Sequence, residues 1–452
     1  MAFFRQTLCA AAALLAGIGA ASAAEPARGL DKIEHIVVIY LENRSFDNLF
    51  GLFPGAAGIA ESAQTAAPQV DRDGKPYATL PQPLDTTKKP AVADTRFPAD
   101  LPNRPFGIGR FAPLNAKTGD LVHRYYQNIE QIDGGKNDKF VAWSDAGGLT
   151  MGYYDGSKTR LWQWAKRFTL TDHFFMGGFG GSFLNHILLA CACVPKNDAA
   201  PDSMKAQLDA AGHLVKDGAY RPDGYAVNTI QPFAIPYDPK AADPAKRLPP
   251  QELPTIGDRL SAKGVSWAWY SGGFKAASEG RNEGEFQYHH QPYVYFKNYG
   301  EGTEGRRIHL KDAEDLYADV IAGKLPAVTF YKPVGVLNQH PGYAEIDSGD
   351  RHVDDLLKLI EKSPQWKSTA VIITYDENGG TYDHVAPPKG DQWGPATRIP
   401  TLVISPYARK HTVDHTVYDT MSILKLIENR FGLEPLTDRD AKATSLEGAF
   451  KF

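Results

Sequence analysis

Cysteine is scarce in this chain of 452 residues: there are three, and Cys9 lies in the leading segment. Cys191 and Cys193 stand two residues apart, which is no disulfide framework, and no third or fourth ligand follows at a zinc spacing. Both are expected as buried small residues. Positive charge is not in excess either. Lys and Arg number 49 against 53 Asp and Glu, a formal net charge of −4, so no basic field is available to hold nucleic acid. Beyond the first 23 residues no stretch is long and apolar enough to span a bilayer. No internal repeat is present, which argues against a repeat array.

The N-terminus carries a pattern of its own. Arg5 precedes an apolar run from Leu8 to Ile18, and Ala21-Ser22-Ala23 supplies a small-residue cleavage site. This reads as a secretory signal peptide, residues 1–23, cut after Ala23. The run is short and rich in alanine and glycine, which favours a leader over a membrane anchor. A periplasmic or secreted protein is expected, with residues 24–452 as a single domain. Its 42% hydrophobic and 23% charged residues are ordinary for a globular protein.

Regular structure alternates along the chain. Residues 34–41 form a continuous β-branched run, which predicts a strand covered on both faces, as in a parallel sheet. Further strands are expected at 265–270, 327–330, 369–374 and 400–405. Helices are expected at 161–168, 254–263, 316–324, 352–362 and 418–430, the last stopped by Gly432. Residues 55–120 and 195–252 are rich in proline and turn formers and read as long surface loops of the kind that shape a site mouth. The sum is an α/β fold with a mainly parallel central sheet.

Gly177-Gly178-Phe179-Gly180-Gly181-Ser182-Phe183-Leu184-Asn185-His186 is the stretch with the sharpest chemistry. Glycines let backbone N–H groups turn toward a ligand. A helix starting near Ser182 would aim its unpaired N–H groups and its positive dipole end at the hydroxyl. That suits a phosphate and lowers the cost of ionising a serine nucleophile. Asn185, three residues on, can face the same way. The plainer reading is a flexible loop with Ser182 as a helix cap.

Two predicted strands end in acid-amide clusters, Glu42-Asn43 and Asp376-Glu377-Asn378. If those strands are neighbours, three carboxylates and an amide meet at one rim. Their repulsion would be costly without a hard divalent cation between them. The alternative is two acidic loops solvated separately. A serine on an anion-binding turn beside such a metal is ready for phosphoryl transfer.

These residues carry a resemblance. Glu42-Asn43-Arg44-Ser45-Phe46-Asp47, the glycine turn with Ser182, Asn338-Gln339-His340-Pro341 and Tyr375-Asp376-Glu377-Asn378 through Asp383-His384 resemble the bacterial phosphoesterase family. That family unites phospholipases C with secreted acid phosphatases that inhibit the respiratory burst. Gln131–Phe140 and Phe286–Pro292 are similar to the acid phosphatase branch, and Asp414–Glu428 to the C-terminal helix of both. The match runs from about residue 32 to 438.

The resemblance implies an alkaline-phosphatase-like, three-layer α/β core with long loop insertions. It implies one divalent metal held by Glu42, Asn43, Ser182, Asp376 and Glu377, with Ser182 also the nucleophile. Oxygen ligands favour Ca, Mg or Mn. His123, Asn185, His290 and His340 would surround the phosphate; His289 competes with its neighbour His290. Taken alone, His123 reads as a packed or surface histidine. Asp383 and His384 read either as support for the metal ligands or as turn formers, and His186 as a helix-packing histidine. The expected activity is acid phosphatase on small phosphate monoesters. The alternative is a phospholipase C acting on phospholipid headgroups, with Trp267, Trp269, Tyr288 and Tyr293 as material for a choline cage. Protonated histidines, chiefly His290 and His340, would favour acidic pH.

Overall fold

The run of Ile36, Val37, Val38 and Ile39 forms the centre of strand β1, His35–Leu41, and every one of these side chains is buried. A computed structural model describes residues 29–59 and 66–452. The signal peptide expected over residues 1–23 lies outside them. Within the described residues the central sheet has eight strands. In chain order they are β1, β2 (Thr169–Thr171), β3 (Trp267–Ser271), β4 (Leu310–Lys311), β5 (Val328–Lys332), β6 (Thr369–Tyr375), β7 (Thr401–Ile404) and β8 (Thr412–Asp414). Across the sheet they run β4-β3-β5-β1-β6-β7-β2-β8. All neighbours are parallel except β7, which pairs antiparallel with both β6 and β2.

Helices cover both faces. Among them are α1 (Phe46–Phe50), α2 (Arg160–Arg167), α3 (Ser182–Cys191), α4 (Ile256–Ala262), α5 (Ala313–Ile321), α6 (Ile346–Lys362) and α7 (Thr420–Phe431). Helix α6 packs with α2 and α5, and α3 with α4 and α7. The strand pleat separates the two groups. Tyr331, beside Ile39 in register, reaches His352 of α6 at 2.7 Å. Tyr40, the next residue along β1, donates instead to the Asn185 carbonyl of α3. All ten residues of α3 are buried, so this helix is apolar all round because protein surrounds it. Truncating Leu188 or Leu189 there to alanine would cost about 2–5 kcal/mol.

The expected α/β class and mainly parallel sheet are present. One expectation is overturned: Cys191 and Cys193 are disulfide-bonded, not separate buried thiols. Ala192 between them takes a left-handed conformation, φ 49° and ψ 20°, at the end of α3. That reversal brings the two Cα atoms to 5.0 Å, within disulfide reach.

Candidate active site

The site is built by register. Leu41 pairs with Tyr375 across β1 and β6, so the residues that follow, Glu42 and Asp376, leave the sheet side by side. This is the carboxyl edge of the strands, where open α/β sheets bind their ligands. Asp376 N–H donates to the Leu41 carbonyl at 3.0 Å, and Asp376 Oδ1 accepts from Asn43 N–H at 3.1 Å and Glu377 N–H at 2.8 Å. Gly379 turns the chain back with φ +60°, and a Cβ there would strike the Asn43 carbonyl oxygen. Glu42, Asn43, Asp376 and Glu377 are all buried.

Ser182 is the first residue of α3, after Gly181 in extended conformation. Its Oγ lies 3.3 Å from Glu42 Oε2 and 3.2 Å from Asn43 Oδ1, the two acceptors for its one proton. Gly180 needs its φ of +96°, and a Cβ there would meet the Tyr125 backbone nitrogen at 2.5 Å.

The electrostatics show how the cluster could hold a cation. Burial opposes ionisation of Glu42, but Lys332, His290 and His340 outweigh it and hold Glu42 well below the ordinary carboxyl value. Burial and the Glu42 charge push Asp376 up to about 7. Burial also drives Glu377 well up; His123 opposes this and the Asp376 charge adds to it. Asp376 Oδ2 and Glu377 Oε1 are buried oxygens with no hydrogen-bond partner, while Glu42 Oε1 is ion-paired with Lys332 Nζ and His290 Nε2, each at 2.6 Å. Two unpartnered carboxylate oxygens at one rim, with Glu42 Oε2 and the amide and hydroxyl oxygens of Asn43 and Ser182 beside them, fit a hard divalent ion. The buried acidic and histidine groups can hold a metal.

The histidines divide. His290 Nε2 sits 2.6 Å from Glu42 Oε1, while His289 packs on the His186 ring. His340 Nε2 is 2.9 Å from Asn43 Nδ2, and its ring stacks on Tyr343. His123 Nε2 lies 3.3 Å from Asn43 Nδ2 and 3.9 Å from Glu377 Oε1. Burial lowers His290 to about 4 and also lowers His340. Burial works against His123 too, yet Glu377 and Asp120 outweigh it and raise His123 to about 9. With Glu377 ionised, these directions favour a cation at His123 over His290 and His340, against the expected protonation of the latter two.

Other expected residues find different places. Both amide hydrogens of Asn185 are committed to the carbonyls of Gly178 and Gly181, and its Oδ1 accepts from Gly178 N–H. It braces the glycine turn, which leaves it no donor for a phosphate oxygen in this arrangement. His186 stacks on His290 beneath the site and approaches Asp376 Oδ2 at 3.7 Å. Asp383 binds Arg398 Nε and Asp47 N–H, and His384 binds Asp47 Oδ2 at 2.7 Å, forming a buried ion network under α1. Trp267, Trp269, Tyr288 and Tyr293 are core side chains, with Trp267 and Tyr293 rings 4.8 Å apart. They form no cage at the mouth.

Lys332 was not read from the sequence. It ends β5, fully buried, with Nζ 2.6 Å from Glu42 Oε1, 3.8 Å from Asp376 Oδ2 and donating to the Leu41 carbonyl at 3.2 Å. A lysine closing a buried strand was the available signal, by the same rule that singled out Glu42 and Asp376. The mouth is a cavity of about 310 Å³ bounded by Thr86, Lys89, Asp120, His123, Arg124 and Gly181, so the 55–120 loop does reach it.

Residues 33–434 match the sequence pattern described as the Phosphoesterase family. The chain belongs to that family. It is 28% identical to "Phospholipase C B" of Mycobacterium tuberculosis (strain ATCC 25618 / H37Rv) over 473 residues, covering 94% of this chain and 78% of that one. It is 24% identical to "Non-hemolytic phospholipase C" of Pseudomonas aeruginosa, spanning 94% of this chain and 58% of that one. Among solved structures, an alkaline phosphatase superfamily protein from Vibrio parahaemolyticus covers 72% of this chain and 71% of its own at 12% identity and a TM-score of 0.34. The sheet topology, not that slight likeness, carries the α/β class. Membership makes the protein a hydrolase of phosphoester bonds. Among the described residues no helix is long and apolar enough to cross a membrane.

Proposed function

We propose that this phosphoesterase works through a phosphoserine on Ser182. The observation that carries the reading is Ser182 Oγ at the start of a ten-residue helix, 3.3 Å from Glu42, at a rim where Asp376 Oδ2 and Glu377 Oε1 are buried with no hydrogen-bond partner. Ser182 Oγ attacks phosphorus, the bond to the leaving oxygen breaks, and that oxygen takes up a proton. Water then attacks the same phosphorus, the P–Oγ bond breaks and Ser182 regains its proton, releasing phosphate from a monoester or the phosphorylated headgroup from a diester. The N–H groups at the start of α3 and a protonated His123 at the mouth would hold the phosphate oxygens, where charge accumulates. A divalent ion on Glu42, Asn43, Ser182, Asp376 and Glu377 would supply charge neutralisation for the serine and phosphate oxygens. Its all-oxygen ligands favour Ca, Mg or Mn.

Two substrate classes fit this chemistry. The polar mouth, with Lys89, Arg124 and Asp120 and no aromatic cage among the described residues, favours a small water-soluble phosphate monoester. The phospholipase C relatives favour a phospholipid diester cleaved to diacylglycerol and a phosphorylated headgroup, and the comparisons weigh more on that side. A signal peptide and export remain part of the proposal for either.

Nitrophenyl phosphate and its phosphorylcholine ester, assayed side by side with added divalent metal, separate the two. A preference for the first supports the monoesterase and a preference for the second the phospholipase C. Ser182→Ala should lose kcat on the order of 10³-fold or more on whichever is turned over. Rapid quench with labelled substrate should trap phosphate on residue 182. Label on a histidine, or a near wild-type rate in Ser182→Ala, would overturn the mechanism, because a mere helix cap costs only about 1 kcal/mol of stability.

A further inference from the structure

Strands β2 and β8 run parallel, with Thr171 beside Asp414. The next residues, Asp172 and His415, therefore emerge together. Two antiparallel steps across β7 return the chain direction to that of β1, so they emerge at the same carboxyl edge of the sheet as Glu42 and Asp376. His173 follows Asp172. The Asp172 carboxylate is fully buried and lies between two imidazoles, with Oδ1 2.8 Å from His173 Nδ1 and Oδ2 2.8 Å from His415 Nδ1. Ala57 N–H also donates to Oδ2, at 2.7 Å. None of these side chains serves the chemistry around Ser182.

We propose that Asp172, His173 and His415 form a second metal site, suited to a borderline ion such as Zn²⁺. Three features carry this. The donor set of two imidazole nitrogens and one carboxylate suits zinc, in contrast to the oxygen set around Ser182. The donor atoms lie within 4.8 Å of one another. Ligand bonds of about 2.0–2.2 Å then require only small shifts, with the ion taking the place of the two ring protons.

The carboxylate is also held by its backbone. The Asp172 carbonyl accepts from Arg398 Nη1 at 2.8 Å, and its N–H donates to the Asp414 carbonyl at 3.1 Å. That support fixes the one buried ligand. His415 is 61% exposed, which leaves its ring free to adjust and gives the ion a path from solvent. A bound ion would tie the edge strand β8 to β2 and so stabilise the folded chain by mass action.

The test uses the full-length protein carrying Asp376→Asn, which disables the oxygen cluster and makes the result independent of the proposed function. Zn²⁺ is titrated by equilibrium dialysis with elemental analysis in excess Mg²⁺, and Co²⁺ by visible absorption. The expected result is one Zn²⁺ per chain, a Co²⁺ spectrum of four-coordinate type, and a rise in melting temperature with Zn²⁺. Affinity should fall at least tenfold in His415→Gln, a surface change that leaves folding intact, and further in the His173→Gln/His415→Gln pair. Absence of a bound equivalent, or the same equivalent in the double variant, would overturn the site and leave the trio as a carboxylate hydrogen-bonded to two histidines.

Discussion

Replacing Lys332 by methionine removes a charge and keeps most of the volume. In the folded chain Lys332 Nζ lies 2.6 Å from Glu42 Oε1 and 3.8 Å from Asp376 Oδ2, with all three groups buried. Removing one partner of a buried ion pair costs about 3–5 kcal/mol, because the other charge is left uncompensated. Unfolding a chain of this length releases about 0.9 kcal/mol per kelvin of entropy near the midpoint, so the melting temperature should fall by about 3–6 °C. That loss is expected in chelator. With saturating Mg²⁺ or Mn²⁺ the ion sits among the same carboxylates and takes over part of the neutralisation, so the deficit should shrink to less than half. Calorimetry of wild type and Lys332→Met, each with and without metal, measures both numbers. An equal loss in the two conditions would show that the metal does not share Glu42 and Asp376 with Lys332. No loss at all would show that the ammonium is not what keeps Glu42 ionised.

Two other outcomes follow from the same geometry. Asp376→Asn should remove bound catalytic metal and activity together while the fold persists; an unchanged metal content by elemental analysis would count against the ligand set. Glu428 tests pH dependence away from the site. Burial and the neighbouring Asp440 push its carboxyl from the ordinary 4.5 up to about 8. The fold thus favours the protonated form, and this contribution is complete below pH 4.5 and lost as pH rises toward 8. Melting temperature should fall from pH 5 to 8 on this account, and Glu428→Gln, which stays neutral, should flatten the fall.

The sequence by itself determined the parts whose signal is local. The apolar runs of β1 and β6 announce strands because both faces must be buried, and the observed bounds, His35–Leu41 and Thr369–Tyr375, lie within a residue of expectation. The glycine turn announces a helix start at Ser182 because four glycines leave little else for that backbone to do. Glu42 and Asp376 are legible because a carboxylate at the end of a buried strand has no ordinary reason to be there. The two carboxylates meet only because β1 and β6 are neighbours, which the sheet order decides.

Tertiary structure alone decided the rest. Strands β2 and β8 are three residues long, too short to show a period, and exist because each completes the other's hydrogen bonds. The disulfide depends on one left-handed residue between Cys191 and Cys193, which spacing does not reveal. Asn185 lies on the expected side of α3, but the path of Gly178 and Gly181 commits its amide to the turn. Lys332 and His415 become chemistry only when strands far apart in sequence deliver Glu42 and Asp172 to them. Periodicity reports which face a residue takes; which charge it meets there is set by strand order and register.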